Sequence, residues 1–183
     1  MSRKITDMHP FLQVLCLKHM QMAADAGVPF IVTQTLRTQE EQQFLFAKGR
    51  TAPGEPCYHN GIRVPVGSCQ QHPLGVTVTK AEPGNSYHEY GLAYDVALVD
   101  KTTGKPHWKE AEDANFNTRG DFTDIGEIGE QIGLEWGGRW TRFPDMPHFQ
   151  YRGGLTLADL KGGKTLPDIN ETDLARLLNV RTA

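Results

Sequence analysis

The sequence predicts an α+β domain. Amphipathic stretches at helical spacing stand irregularly among a few short β-rich stretches, no segment repeats, and no composition break marks a second domain. Residues 8–26 carry Leu12, Leu15, Cys16, His19, Met22, Ala23 and Ala26 at helical spacing, with Pro10 at the start and Gly27 at the end. Residues 29–36 are β-rich and read as a strand. Thr38-Gln39-Glu40-Glu41 then matches a capping box, which opens a helix running to Lys48 and stopping at Gly49. Residues 50–85 show little periodicity and read as a long loop, a feature that in a compact domain is functional or mobile. From Leu92 to Val99 the residues alternate, so Ala93, Asp95, Ala97 and Val99 share one face of a strand. Asp95 thus lies between two alanines, where small neighbours leave room for an ion and its ligands. A polar loop over 100–121 leads to a helix over 122–132 with Ile125, Ile128 and Ile132 as its buried stripe and Gly133 as its stop. Residues 147–151 read as a closing strand bearing His148. Short helices near 156–161 and 171–179 each begin at a possible capping box, Thr156 with Asp159 and Asn170 with Asp173.

Composition narrows the function classes. The chain has 183 residues, enough for one domain with a real core, and its 19 basic and 22 acidic residues give a net charge of -3. That balance lacks the basic footprint of a nucleic-acid-binding protein. No stretch reaches the ~20 apolar residues of a membrane span, and the N-terminal residues lack the apolar core of a signal peptide. Synthesis in the cytoplasm is expected, with a disulfide framework disfavoured by an odd set of cysteines, Cys16, Cys57 and Cys69.

The chemistry concentrates in two short segments. Ser86-Tyr87-His88-Glu89-Tyr90-Gly91-Leu92-Ala93-Tyr94-Asp95 offers a histidine and a carboxylate, and Asp145-Met146-Pro147-His148-Phe149 offers another of each. Imidazole and carboxylate suit zinc, and a catalytic zinc takes three protein ligands and leaves a position for water. His88, Asp95 and His148 fill that description. Asp145, three residues before His148, is placed to act as a base beside the ion. Arg37, at a strand-to-helix junction, is placed to stabilise an oxyanion or hold a substrate carboxylate. A lone histidine is more often a core or surface residue, so His9, His19, His59, His72 and His107 stay unassigned.

These residues carry a family resemblance. The pattern Ser-x-His-x-x-Gly-x-Ala-x-Asp with a later Asp-x-x-His-Phe resembles that of zinc peptidases that include D-alanyl-D-alanine carboxypeptidases and L-alanyl-D-glutamate endopeptidases, many of them phage endolysins. Thr35-Leu36-Arg37-Thr38 with Glu41-Gln42, Lys48-Gly49-Arg50-Thr51 with Pro53-Gly54, Gly133-Leu134-Glu135-Trp136-Gly137-Gly138-Arg139-Trp140 and Gly153-Gly154-Leu155-Thr156-Leu157 are similar to the family's other segments, so the likeness spans roughly residues 10–163. The resemblance implies a small antiparallel sheet flanked by helices, the fold shared with hedgehog domains and lysostaphin-type enzymes. It further implies Zn2+ on His88, Asp95 and His148, Asp145 as catalytic base and Arg37 steadying substrate or transition state. Ser86 matches a supporting hydrogen-bonding residue. Trp140 lines the groove or packs, and Glu135 is a supporting group or an alternative base. An aspartate at the base position with Trp-Gly-Gly before it looks like the endolysin branch.

The expectation is therefore a single, monomeric zinc peptidase domain over 1–183, with a core over 10–163, a C-terminal extension over 164–183 and no separate wall-binding domain. Its partner would be a peptidoglycan stem peptide, cut between L-alanine and D-glutamate in the cell wall or periplasm after release through the membrane. A D-alanyl-D-alanine carboxypeptidase, with Arg37 or Arg139 holding the terminal carboxylate, and a non-catalytic zinc-containing binding module are the rivals. Residues 57–75 look like an insertion, and Cys57, His59, Cys69 and His72 leave three readings: a second metal, a Cys57–Cys69 disulfide, or a plain loop near the cleft. The acidic residues of 100–124 read as a solvated loop rather than a calcium site.

Overall fold

The computed structural model describes residues 1–48, 77–109, 112–170 and 172–173, together with the backbone of 57–59 and 62–64. In chain order the elements are α1 (Pro10–Asp25), β1 (Phe30–Gln34), α2 (Gln39–Ala47), β2 (Cys57–His59), β3 (Ile62–Val64), β4 (Ala93–Val99), β5 (Pro106–His107), α3 (Asp121–Gln131), β6 (Glu135–Trp136), β7 (His148–Gln150) and α4 (Leu157–Lys161). Helices and an antiparallel sheet make the fold α+β, as the sequence predicts. Helix α1 starts at His9, whose ring accepts the Phe11 N–H, and ends before Gly27, whose φ of +79° is the left-handed conformation glycine adopts freely. The Thr38 box is formed in both directions, and so is that of Thr156 with Asp159 at α4.

The sheet runs β1-β4-β7-β6, with β5 added to β4, and every pairing is antiparallel. Strand β4 occupies the middle. Its Tyr94, Val96 and Leu98 join Phe149 of β7, Trp136 of β6, Leu12, Leu15 and Cys16 of α1, and Phe122 and Ile125 of α3 in one buried core. Two glycines of α3 admit the aromatics of the sheet. A Cβ at Gly126 would lie 2.4 Å from the Trp136 indole, and one at Gly129 would lie 2.9 Å from the Phe149 ring. The buried stripe of this helix is therefore broader than three isoleucines, because rings pack where side chains are absent.

Several expectations change. The 50–85 stretch contains the β2–β3 hairpin, paired Cys57 to Val64 and His59 to Ile62. The three readings of the Cys57 to His72 side chains lie outside the described residues. The 100–121 stretch contains β5, and its acidic groups are not simply solvated. Asp121 and Asp124 are buried; Asp121 accepts the Ala114 N–H at 3.0 Å, and Asp124 accepts the side-chain amides of Asn115 at 2.9 Å and Asn117 at 2.7 Å. Strand β6 is an addition that its two-residue length hides from a periodicity reading. The Asn170–Asp173 box is formed, and residues 174–183 lie outside the described residues. Leu166, in the expected extension, packs with Phe11, Leu92 and Leu160. Among the described residues no helix is long and apolar enough to cross a membrane.

One polar group is sealed in the core. His19 is fully buried, 2.7 Å from both the Tyr94 hydroxyl and the Ile125 carbonyl. The carbonyl only accepts, so Nε2 carries the proton and Nδ1 accepts from Tyr94. Burial pushes the imidazole down to about 4, against the opposing pull of the Ile125 carbonyl. The neutral form is the folded one, so this contribution is complete above the ordinary value of 6.5 and is lost as the pH falls towards about 4. Roughly 3 kcal/mol of stability is expected to disappear across that window. His19→Gln should be less stable at neutral pH yet lose less on acidification; urea denaturation of both proteins at pH 7 and pH 4.5 measures the difference.

Candidate metal centre and active-site cleft

The sheet register builds the site. Across three strands Gln34 pairs with Asp95 and Asp95 with His148, so these side chains form a row on the face away from the α1–α3 core. A register shift between Val32 and Gln34 brings Gln34 into that row. His88 arrives from a short 3-10 turn, Tyr87–Tyr90, which ends at Gly91 with φ +66°. The Glu89 carboxylate accepts the N–H groups of Gly84 and Ser86 and fixes the entry to the turn. The His88 carbonyl accepts the Arg37 N–H, and His88 Nδ1 lies 2.7 Å from the Thr35 carbonyl.

Three atoms converge. His88 Nε2 is 3.2 Å from Asp95 Oδ1, His148 Nδ1 is 3.1 Å from the same oxygen, and the two nitrogens are 3.3 Å apart. The outer atoms decide their protonation. His88 Nδ1 faces a carbonyl, so it carries the hydrogen and Nε2 keeps its lone pair. His148 Nε2 is 3.1 Å from Gln150 Oε1; Gln150 Nε2 donates to Glu135 Oε2 at 3.0 Å, which fixes the amide orientation. His148 Nδ1 therefore also presents a lone pair. Two lone pairs and a carboxylate oxygen facing one another fit a cation, and these three residues could hold a metal ion. Burial pushes Asp95 up, but positive charge and N–H donation from the imidazoles, a proton taking the cation's place among the three groups, outweigh it and hold the carboxyl well below the usual range.

Arg37 lines the cleft from beside Asp95. It is buried, its Nη2 lies 3.6 Å from the outer Asp95 oxygen, and its guanidinium donates to Gln34 and, at 2.6 Å, to Gln42. It grips the far side of the ligand carboxylate, leaving Oδ1 for the centre. The Glu135 carboxylate takes Gln150 and Arg152, the arrangement of a supporting group. Arg139, a candidate carboxylate holder, instead pairs with Glu130 and Glu127.

Asp145 does reach the site. Its loop is tied by Trp136 Nε1 donating to the Met146 carbonyl at 2.8 Å and by the Asp145 N–H donating to the Gly137 carbonyl at 3.0 Å. Gly137 makes this closeness possible, since a Cβ there would meet the Asp145 carbonyl at 2.6 Å and His148 Cβ at 3.0 Å. Burial, reinforced by the Asp95 charge, raises the Asp145 carboxyl above its ordinary value. Asp145, Arg37, Ser86, Trp140 and the three convergent residues line one cavity of about 520 Å³. Trp140 sits on the His148 ring with centroids 4.9 Å apart. The cavity also includes Lys80, Trp108 and Phe143, which carry no motif and leave no signal in the local sequence. Gln150 escapes a sequence reading for the same reason, and Gln42, although part of the Glu41-Gln42 segment, shows no role there.

Residues 79–151 match the family described as D-alanyl-D-alanine carboxypeptidase. The chain is 34% identical over 145 residues to the peptidoglycan L-alanyl-D-glutamate endopeptidase CwlK of Bacillus subtilis, covering 79% of this chain and 74% of that protein. The chain belongs to this peptidase family. It is therefore an enzyme, a peptidase of a metal-dependent family, and the binding-module alternative falls away. The crystal structure of the Serratia marcescens L-Ala D-Glu endopeptidase ChiX is similar with a TM-score of 0.49 and 21% identity, over 85% of this chain and 86% of that one. Because Gln150 fixes the His148 tautomer, Gln150→Ala should weaken metal binding about 10–100-fold; competition against a chromophoric chelator measures it.

Proposed function

We propose that the chain is a zinc endopeptidase that cuts peptidoglycan stem peptides between L-alanine and D-glutamate, working as a phage or prophage endolysin. The observation that carries the chemistry is the convergence of two imidazole lone pairs and one carboxylate oxygen beside a partly buried second carboxylate. The bond specificity is supported by the identity to a relative with that activity. The endolysin role is supported by the Asp145-x-x-His148 branch pattern and the Trp136-Gly137-Gly138 stretch.

His88, Asp95 and His148 would hold the ion; when bound, zinc supplies Lewis acidity towards the scissile carbonyl and acidifies water. Asp145 takes a proton from the attacking water and returns it to the leaving amine. Its raised affinity for protons suits both halves of that task, because a base that is too weak accepts poorly and a strong one does not give the proton back. Arg37 holds Asp95 in its one-oxygen pose. Ser86 shapes the entry to the His88 turn, Glu135 orients Gln150, and Trp140 covers one side of His148. The protein would act as a monomer on the wall after leaving the cytoplasm.

D-alanyl-D-alanine carboxypeptidase activity is the second reading, since the matched family carries that description. Mass spectrometry of digested muropeptides separates them: fragments beginning at D-glutamate support the endopeptidase, and loss of terminal D-alanine alone supports the carboxypeptidase. Asp145→Ala should retain one metal per chain by elemental analysis yet lose roughly 10³-fold or more in kcat. Near-normal turnover removes Asp145 from the role. The wild-type rate should fall on the acid side as Asp145 is protonated, at a pH above the ordinary aspartate range.

A further inference from the structure

The cavity contains a cation that the hydrolytic machinery does not use. Among the described residues lining it, the positive groups are Arg37, Lys80 and the Met1 ammonium. Arg37 is buried against Asp95, Gln34 and Gln42, and the Met1 ammonium pairs with Glu41. Lys80 alone of the three has an exposed side chain without a carboxylate partner among the described residues. Its Nζ is 3.4 Å from the Arg142 carbonyl and 5.2 Å from the Phe143 ring centroid, so it reaches across to the loop that carries Asp145. Its backbone is tied to the centre. Gln42 accepts from Arg37 through Oε1 and donates through Nε2 to the Ala81 carbonyl at 2.6 Å. Asp95, Arg37, Gln42 and Ala81 thus form a continuous chain of contacts ending beside Lys80.

Substrate chemistry supplies the complement. In an L-alanyl-D-glutamyl peptide the glutamate amine is acylated, one carboxyl carries the next residue, and the other remains a free carboxylate on the leaving side of the scissile bond. That anion needs a cationic partner of its own in the cleft, since the Arg37 guanidinium is taken up by Asp95, Gln34 and Gln42. Resting on the endopeptidase reading, we infer that Lys80 binds the free carboxylate of the D-glutamate residue and so sets specificity for it. The ammonium has three donors, and the Arg142 carbonyl takes at most one of them. Phe143 and the Arg142 carbonyl lie within reach of the head of this cavity-lining residue, which lowers the further side-chain ordering that the contact costs.

The test uses the metal-loaded protein and two synthetic stem peptides, one with that carboxylate free and one with it converted to the neutral amide. Wild type should prefer the acid. Lys80→Ala should lower the acid-to-amide ratio of kcat/KM about tenfold, chiefly through KM on the acid. Its thermal melting and its rate on the amide should stay near wild type, and Lys80→Arg should restore the preference. A ratio unchanged in Lys80→Ala overturns the inference, and so does an equal loss on both peptides. Wild type that releases only terminal D-alanine from a full stem peptide overturns the endopeptidase reading itself, an outcome that the Lys80 variants do not enter.

Discussion

The pairing of β4 with β7 is the constraint on which the rest depends. With Asp95 opposite His148, Tyr94 must lie opposite Phe149, because successive side chains of a strand point to opposite faces. One face then gives two groups able to ligate a metal in reach of each other, and the other gives two rings to the core. A slip of one residue would exchange them, burying an ionised carboxylate and exposing aromatic surface. The core therefore enforces the register, and the register makes the site. Gly126 and Gly129 of α3 belong to the same device, since they let Trp136 and Phe149 settle against the helix.

A second layer gives each ligand a single direction. The outer nitrogen of His88 is held by Thr35, that of His148 by Gln150, and the outer oxygen of Asp95 by Arg37. Without these partners a histidine could turn either nitrogen inward, and the aspartate could present either oxygen. Arg37 further offsets the charge that Asp95 and Asp145 bring together. The structure thus places the arginine of the strand-to-helix junction against Asp95 as well as in the cleft lining. A guanidinium buried this deeply needs acceptors on several sides; Gln34, Gln42 and Asp95 provide them at its two terminal nitrogens, while its Nε is buried without a partner among the described residues.

Those parts written in local chemistry were legible in the sequence. Helices α1 and α2, the strand bearing Asp95, the Thr38 and Thr156 capping boxes and the three convergent residues all follow from spacing within a few residues or from a fixed motif. The pairings behind those three residues were not legible. Gln150 matters because it stands next to Glu135 across β6 and β7, and Gln42 matters because Ala81 passes beside it. Neither relation leaves a mark in the local sequence, and glutamine carries no chemistry of its own to attract notice. Asp121 and Asp124 show the converse. As acidic residues in a polar stretch they read as solvated, yet backbone and asparagine N–H groups stabilise them in the interior.

The two sides of the cleft are built differently. His148 and Asp95 stand on paired strands with the core directly behind them, so their geometry moves only if the sheet moves. Lys80, Trp140 and Phe143 stand on connecting segments that touch the sheet and α2 through a few hydrogen bonds and ring contacts. A residue on such a segment can be exchanged without disturbing the register that holds the ligands. Hydrolysis of an amide demands the same centre whichever residues flank it, whereas the position of a substrate's carboxylate differs between a terminal D-alanine and an internal D-glutamate. The choice between those substrates should accordingly be made by the loop wall, with the sheet wall common to both.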